Sequence, residues 1–425
     1  MASIFTLGHM GPKELGAAAL GSMFATVSAF SVSYGATTAL DTLCSQAWTG
    51  ARDKTLLGIH LQRALLILAL IMMPIAFTWW HSESILLLLN QDPELAHLAG
   101  APANVAFEAV KKFLQAQGIM QASTYCLLIA SPFNMVLNYT LVYREPFQLG
   151  FIGAPLATAL SYWLLLGMLI LYIKYVQGSE AWGGWSRESL EGWWPFLRLA
   201  IPGIFMVCTE WWCFELASLA ASYLSTVDLA AQSILITTVS ATYCIPFGFS
   251  IAAATRVGNA LGSRSAKRAR AASKMALLFA IALGLLNSVI FITVRSSFGY
   301  MFTSKKEVVD RVASILPVCS LFQVADCLAG ICGGVVRGLG RQNIAAWINI
   351  FAYYIVAMPI ALFLTFYMGW GLVGIWTGLS IALFLAAVGE CVFLYFIDWD
   401  AEVEKAHKRV KQEEDEIHEE ATSYV

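Results

Sequence analysis

The chain has 425 residues, 58% hydrophobic and only 13% charged, with a formal net charge of −2 and a mean hydropathy of +0.67. Soluble domains carry about 25% charged residues, so half that share points to a bilayer, and the near-neutral balance argues against a nucleic-acid partner. The nine cysteines and six histidines are scattered without metal-ligand spacing, which speaks against a disulfide framework, a metal site or a bound cofactor.

A membrane span needs about 20 mostly apolar residues. Such stretches are predicted at 15–40, 56–80, 119–143, 153–176, 196–222, 227–255, 272–295, 312–335, 344–368 and 372–397. The stretch 95–118 is a weaker candidate, because Glu108, Lys111 and Lys112 fall inside it. No cleavable signal peptide is evident at the N-terminus. Residues 398–425 form a highly charged tail, expected to be a solvated helix or disordered. Taking the side that bears the basic 256–274 loop as inside, twenty of the 26 Lys and Arg lie inside and six outside. The positive-inside rule then makes the tail cytoplasmic.

The two halves resemble each other at an offset of about 213–222 residues. "LGAAALG" (15–21) lies over "LAAQSIL" (229–235), "CSQAWTGARDK" (44–54) over "RVGNALGSRSAK" (256–267), and "LGFIGAP" (149–155) over "WGLVGIW" (370–376). Repetition of a six-helix unit is how several transporters are built, with a site between the halves. The predicted fold class is therefore an all-α polytopic transmembrane helix bundle of two six-helix lobes related by an internal repeat. The expected division is an N-terminal lobe over 1–176, a cytoplasmic linker over 177–195, a C-terminal lobe over 196–397 and the tail over 398–425. The span near 196 has no full counterpart in the first half. A largely missing first helix is expected, together with a shortened 95–118 span.

"CTEWWCFELASLAASY" (208–223) carries Glu210 and Glu215 inside an apolar span. A carboxylate at mid-membrane costs roughly 2.5–3.5 kcal/mol on insertion scales, so two in one helix call for a function. Five residues turn a helix by about 140°, so the two acids do not share one narrow face. Glu215, Ser218 and Ser222 do share one, suited to a water-filled cavity, and Pro202 is placed to kink the same helix. Asp326 lies in "LFQVADCLAGICGGVVRGLG" (321–340), one turn after Gln323 and before Gly330, Gly333 and Gly334. That glycine run carries no Walker lysine and follows no strand, so it is not a phosphate loop. Asn287 and Glu390 read equally well as interhelical hydrogen bonds. Because low dielectric penalises the charged form, a proton and a cationic substrate would compete for a buried carboxylate, which is the minimum requirement for antiport. Trp211, Trp212, Phe214, Tyr243, Tyr353 and Tyr354 are placed to stack on an organic cation, or equally to pack against lipid.

"ALDTLCSQAWTGA" (39–51), "FLQAQG" (113–118), "LGFIGAPLATALSYW" (149–163), "CTEWWCFE" (208–215), "IPFGFSIAAATRVGNALG" (245–262) and "CGGVVRGLGRQ" (332–342) resemble the eukaryotic branch of the multidrug and toxic compound extrusion (MATE) transporters, from about residue 4 to 397. The resemblance implies two six-helix lobes around a central cavity and proton-coupled export of organic cations, drugs or other xenobiotics. It implies a transporter, not an enzyme. The resemblance implies that the cation- and proton-coupling acids are Glu210 and Glu215, which match the pair of the family's "EWW.FE" helix, and Asp326, which matches the acid of the glycine-rich helix. Asp41 matches the acid of "ALDTL", a structural or gating residue like Pro202. The substrate cavity is expected to include Trp211, Tyr243, Asn287, Gln323, Tyr353 and Tyr354. The family has a complete first helix ahead of its "GH.G" motif, seen here as Gly8-His9-Met10-Gly11, in keeping with the expectation from the repeat that most of that helix is missing. The expected partners are a small-molecule cation or xenobiotic, protons or sodium, and the lipid of the plasma or vacuolar membrane, with the protein a monomer. Sodium coupling is one alternative. A lipid or lipid-linked sugar flippase is another, but such a protein would line its cavity with several Lys and Arg, and the intramembrane charge here is mainly acidic.

Overall fold

The computed structural model describes residues 21, 23–80, 101–144 and 149–423. No strand occurs among them. In chain order the main helices are α1 (Ser31–Gly50), α2 (Leu56–Trp80), α3 (Ala101–Ala116), α4 (Gln121–Tyr143), α5 (Gly153–Tyr175), α6 (Trp193–Ser222), α7 (Thr226–Gly262), α8 (Ala266–Val294), α9 (Lys306–Leu339), α10 (Gln342–Tyr367), α11 (Leu372–Phe396) and α12 (Trp399–Ser423). Nine of them, α2 and α4 to α11, are long and apolar enough to cross a membrane. Large apolar side chains stand exposed along these helices, among them Leu128, Met135 and Val136 on α4 and Leu286 and Val289 on α8, as lipid rather than water would favour. The start of the 15–40 stretch and the Gly8–Gly11 motif lie outside the described residues. Of the 95–118 stretch, residues 95–100 lie outside the described residues, and Ala101–Ala116 form α3, with Lys112 buried.

Local chemistry sets the helix ends. Ser225 Oγ accepts the Asp228 N–H at 3.0 Å and donates to Asp228 Oδ2 at 2.8 Å, a reciprocal cap that starts α7. Gly340, at φ +74°, ends α9: its N–H bonds back to Arg337, and the Arg341 N–H bonds to Val336. The expected 256–274 loop is a correction. Only Ser263–Ser265 separate α7 from α8, and the basic residues around them ride on helix ends, because both helices outrun the apolar stretch that marked the spans. α10 is not a regular α-helix: Ile350–Ala357 and Phe363–Tyr367 wind as wider π-helical turns.

The described residues up to Ala200, together with the tail from Lys411, form one compact unit, and Ile201–Val410 form a second. In the first, α4 packs on α5 through Asn134, which donates to Ser161 Oγ at 2.8 Å. Gln62 on α2 bonds the Gly184 carbonyl at 2.7 Å and the Ser186 N–H at 2.9 Å. His60 on α2 meets Glu413 of the tail at 3.0 Å, both nearly fully buried.

In the second unit α7 and α9 make the most extensive helix pairing. The reason is legible in glycine spacing. Gly330, Gly334 and Gly338 fall at four-residue intervals on α9, where small residues let helix backbones approach closely. A Cβ on Gly338 would lie 2.5 Å from the Ala254 carbonyl oxygen, and one on Gly334 would lie 2.6 Å from Ser250 Oγ and 2.8 Å from its carbonyl carbon. Beside this seam, Trp376 of α11, fully buried, donates to Gln232 of α7 at 2.8 Å and meets Phe322 edge-on at 5.4 Å. Gly334→Ala and Gly338→Ala should each cost about 1–3 kcal/mol through overpacking against backbone that cannot swing away. Gly248→Ala, with open space around it, should cost nothing. Melting curves of the three detergent-purified variants check this.

The tail is a helix, and its first half is more than solvated. Glu402, 5% exposed, accepts from Arg341 at 2.6 and 3.0 Å and from Lys405 at 2.8 Å. Burial pushes the Glu402 carboxyl up, but these cations outweigh it and hold it below the usual carboxylate range. A lowered acid stabilises the docked state above its unfolded titration range and loses that contribution as pH falls through its folded value. Limited proteolysis should therefore cut near the start of α12 faster at pH 4 than at pH 7. Glu402→Gln should be cut fast at both.

Candidate functional site

The second unit gathers ionisable groups in an apolar interior. Glu210 sits on α6, Asp326 and Arg337 on α9, Tyr353 on α10 and Glu390 on α11. Asp326, Arg337, Tyr353 and Glu390 are buried, and Glu210 is partly so. The charge of Glu210 is felt at Asp326, Tyr353 and Glu390, and the charge of Arg337 at Glu210 and Glu390. Oδ2 of Asp326 has no hydrogen-bond partner among the described residues. An ionised carboxylate in such surroundings is costly without a counter-charge, and Arg337 is one cation among three acids.

Each acid is held by identifiable packing. One turn before Glu210, the Met206 carbonyl accepts from Asn349 Nδ2 of α10 at 3.1 Å, tying α6 to α10. Pro202 lies within α6. Its ring nitrogen cannot donate to the Arg198 carbonyl, so the ladder is interrupted two turns before Glu210. Asn287 of α8 donates to Gln323 of α9 at 3.1 Å, one turn from Asp326. Gly284 of α8 sits where a Cβ would lie 2.8 Å from the Val324 Cα, so α8 and α9 also nearly touch. Tyr243 of α7 borders Gly330: a Cβ there would lie 3.1 Å from the tyrosine hydroxyl.

The predicted residues thus divide. Glu210, Asp326, Tyr353 and Tyr243 come together, with Gln323 and Asn287 as a bonded pair alongside. Trp211 is half-buried, Trp212 is exposed, and Tyr354 lies near Cys208 and Cys213, off the acid cluster. Glu215 is not drawn into the cluster. The hydroxyls that share its face, Ser218 and Ser222, donate to their own helix backbone at 3.1 and 2.7 Å. Asp41 belongs to the first unit, where its Oδ1 accepts from Lys112 at 2.6 Å with both side chains buried and Tyr34 flanking the ammonium. The sequence shows Arg337 only among the basic residues of the inner side, and leaves Glu390 open between an interhelical bond and a functional role. Among the described residues no three His, Cys, Asp or Glu side chains group as a metal-ion site.

Comparison with known proteins decides the family. The profile of the family described as MatE matches residues 1–140 and 202–363. This chain is a member of the MatE family. An uncharacterized transporter of Schizosaccharomyces pombe is 42% identical over 96% of this chain and 77% of its own length. Multidrug and toxin extrusion protein 2 of Mus musculus is 36% identical over 96% of this chain and 72% of its own. The crystal structure of the eukaryotic MATE transporter AtDTX14 superposes with a TM-score of 0.90 at 32% identity, covering 96% of this chain and 93% of that one. The MatE chain is accordingly an integral multi-pass membrane transporter of the multidrug and toxin extrusion type, handling small molecules, and not an enzyme.

The buried Asp41–Lys112 pair gives a direct check of how the first unit of this MatE protein is held. Asp41→Asn leaves a buried ammonium uncompensated and should destabilise by about 3–5 kcal/mol. Asp41→Leu combined with Lys112→Met should recover most of that loss, measured by thermal unfolding in detergent.

Proposed function

We propose that the protein is a proton-coupled antiporter that exports organic cations, drugs or other xenobiotics by alternating access. The observation that carries this reading is the convergence of Glu210 and Asp326 in one apolar interior. A carboxylate there is tolerable when protonated or when it faces a cation, and not when bare. Proton and cationic substrate therefore exclude each other, and the site changes sides occupied by one or the other.

Glu210 and Asp326 form the ion-coupling centre, and Tyr353 and Tyr243 supply aromatic faces for a cation beside it. Gln323 and Asn287 brace the helix that carries Asp326. Glu215 serves on the approach to the centre, where it attracts cations without being obligatory for exchange. The excess of Lys and Arg on the tail side supports a cytoplasmic tail, so that export runs away from the side that bears it. The same centre serves in either the plasma or the vacuolar membrane.

The test is tetraethylammonium-driven proton movement in acid-loaded proteoliposomes. The expected result is that the cation collapses the pH gradient, and that Glu210→Gln or Asp326→Asn reduces the rate at least about tenfold. Glu215→Gln should mainly raise the half-saturating cation concentration. Exchange that needs a sodium gradient and ignores the proton gradient would overturn proton coupling. Retention of full exchange by Glu210→Gln would overturn the site.

A further inference from the structure

Glu390 stands outside the coupling pair, yet its surroundings are built around it. It is 2% exposed, and its Oε2 has no hydrogen-bond partner among the described residues. Its Oε1 lies 3.9 Å from the point that a Cβ on Gly333 would occupy, and Arg337 Nη1 lies 3.6 Å from that same point. Both groups thus border one small space beside Gly333, the carboxylate reaching it from α11 and the guanidinium from α9. Met206 of α6 borders it too, with its methyl 2.8 Å from the same position.

Arg337, 6% exposed, is anchored at its other end. Its Nη2 donates to Ser250 Oγ at 2.7 Å, and that hydroxyl donates to the Gly330 carbonyl at 2.6 Å. The guanidinium is thereby fixed on the seam between α7 and α9; Glu390 borders the same space beside Gly333, and Glu210 lies one helical turn beyond Met206, whose methyl borders it too. The nearby Cys332 and Cys391, with sulfurs 3.6 Å apart, close the apolar wall between α9 and α11.

We propose that Glu210 and Glu390 share Arg337 as one counter-cation, which makes Glu390 a third ion-coupling carboxylate of the transport site. This rests on the antiport reading of Glu210. One guanidinium between two carboxylates neutralises one of them, and the other must hold a proton or the substrate cation. When Glu210 is occupied, the charge of Arg337 is balanced by Glu390. When the proton or cation leaves, Glu210 draws on the same guanidinium and Glu390 must take up the proton, so one of the two acids is always occupied. The coupling acts through the field rather than through a shared ion. It also explains the acid itself: a neutral glutamine at 390 would join the helices equally well but could not balance Arg337.

The experiment measures the pH dependence of tetraethylammonium–proton exchange in proteoliposomes of the full chain. Glu390→Gln leaves Arg337 acting on Glu210 alone, favouring its ionised form, so half-maximal exchange should move to lower pH by about one unit. Glu390→Asp should keep the original profile, and Arg337→Gln should move it to higher pH. Gel filtration and melting curves establish that each variant is folded; if Glu390→Gln is not, Arg337→Gln reads the same coupling with the opposite sign. An unmoved profile in folded Glu390→Gln, with Glu210→Gln inactive, overturns the shared-cation inference alone. Absence of exchange by the unsubstituted protein with any cation overturns it together with the antiport reading.

Discussion

The close approach of α7 and α9 is the constraint on which the second unit depends. Gly334 and Gly338 present bare backbone to Ser250 and Ala254, Ser250 also bonds the Gly330 carbonyl, and that contact fixes everything α9 carries. Asp326 lies one turn before the seam and Arg337 lies at its far end. Ser250, which would collide with any side chain at position 334, also holds the guanidinium. Packing and charge placement are therefore one arrangement: loosening the seam would move the only cation that faces Glu210 and Glu390 among the described residues.

A low-dielectric interior makes charge counting more informative than distance alone. Three carboxylates and one guanidinium occupy the cluster, and the burial of Asp326, Glu390 and Arg337 leaves little water to screen the difference. In the first unit the count closes, because Asp41 and Lys112 pair one to one. In the second it does not close without an ion from solution. The same residue types thus form a closed pair in one place and an unbalanced cluster in the other, and the distinction comes from the balance of neighbours.

The architecture was largely legible in the sequence, because span length and apolar composition are one-dimensional quantities. The family was legible too, since six long motifs occur in order. Glu210 and Asp326 stood out because acids are rare in apolar runs. Arg337 did not, because a basic residue near a helix end matches the ordinary charge bias of a membrane protein, and only three dimensions show it turned inward. Glu390 stayed open between an interhelical bond and a functional role for a related reason: Arg337 lies 53 residues away on another helix, and a single acid gives no spacing to interpret. Loop boundaries erred in one direction. The helices outrun the bilayer-sized apolar stretch, so the basic 256–274 segment is helix end rather than loop.

The wide turns of α10 bear on how its inward face should be understood. Ala345, Asn349, Tyr353 and Ala357 are all buried, at a strict interval of four residues. In a regular α-helix that interval drifts, and over twelve residues the last side chain would point about 120° away from the first. Slack introduced over Ile350–Ala357 cancels the drift and turns a spiral stripe into a straight seam parallel to the axis. Asn349 can then reach α6 while Tyr353, the next member of the same column, faces the acids. A hydropathy profile measures length and is blind to phase, so this alignment leaves no mark on it.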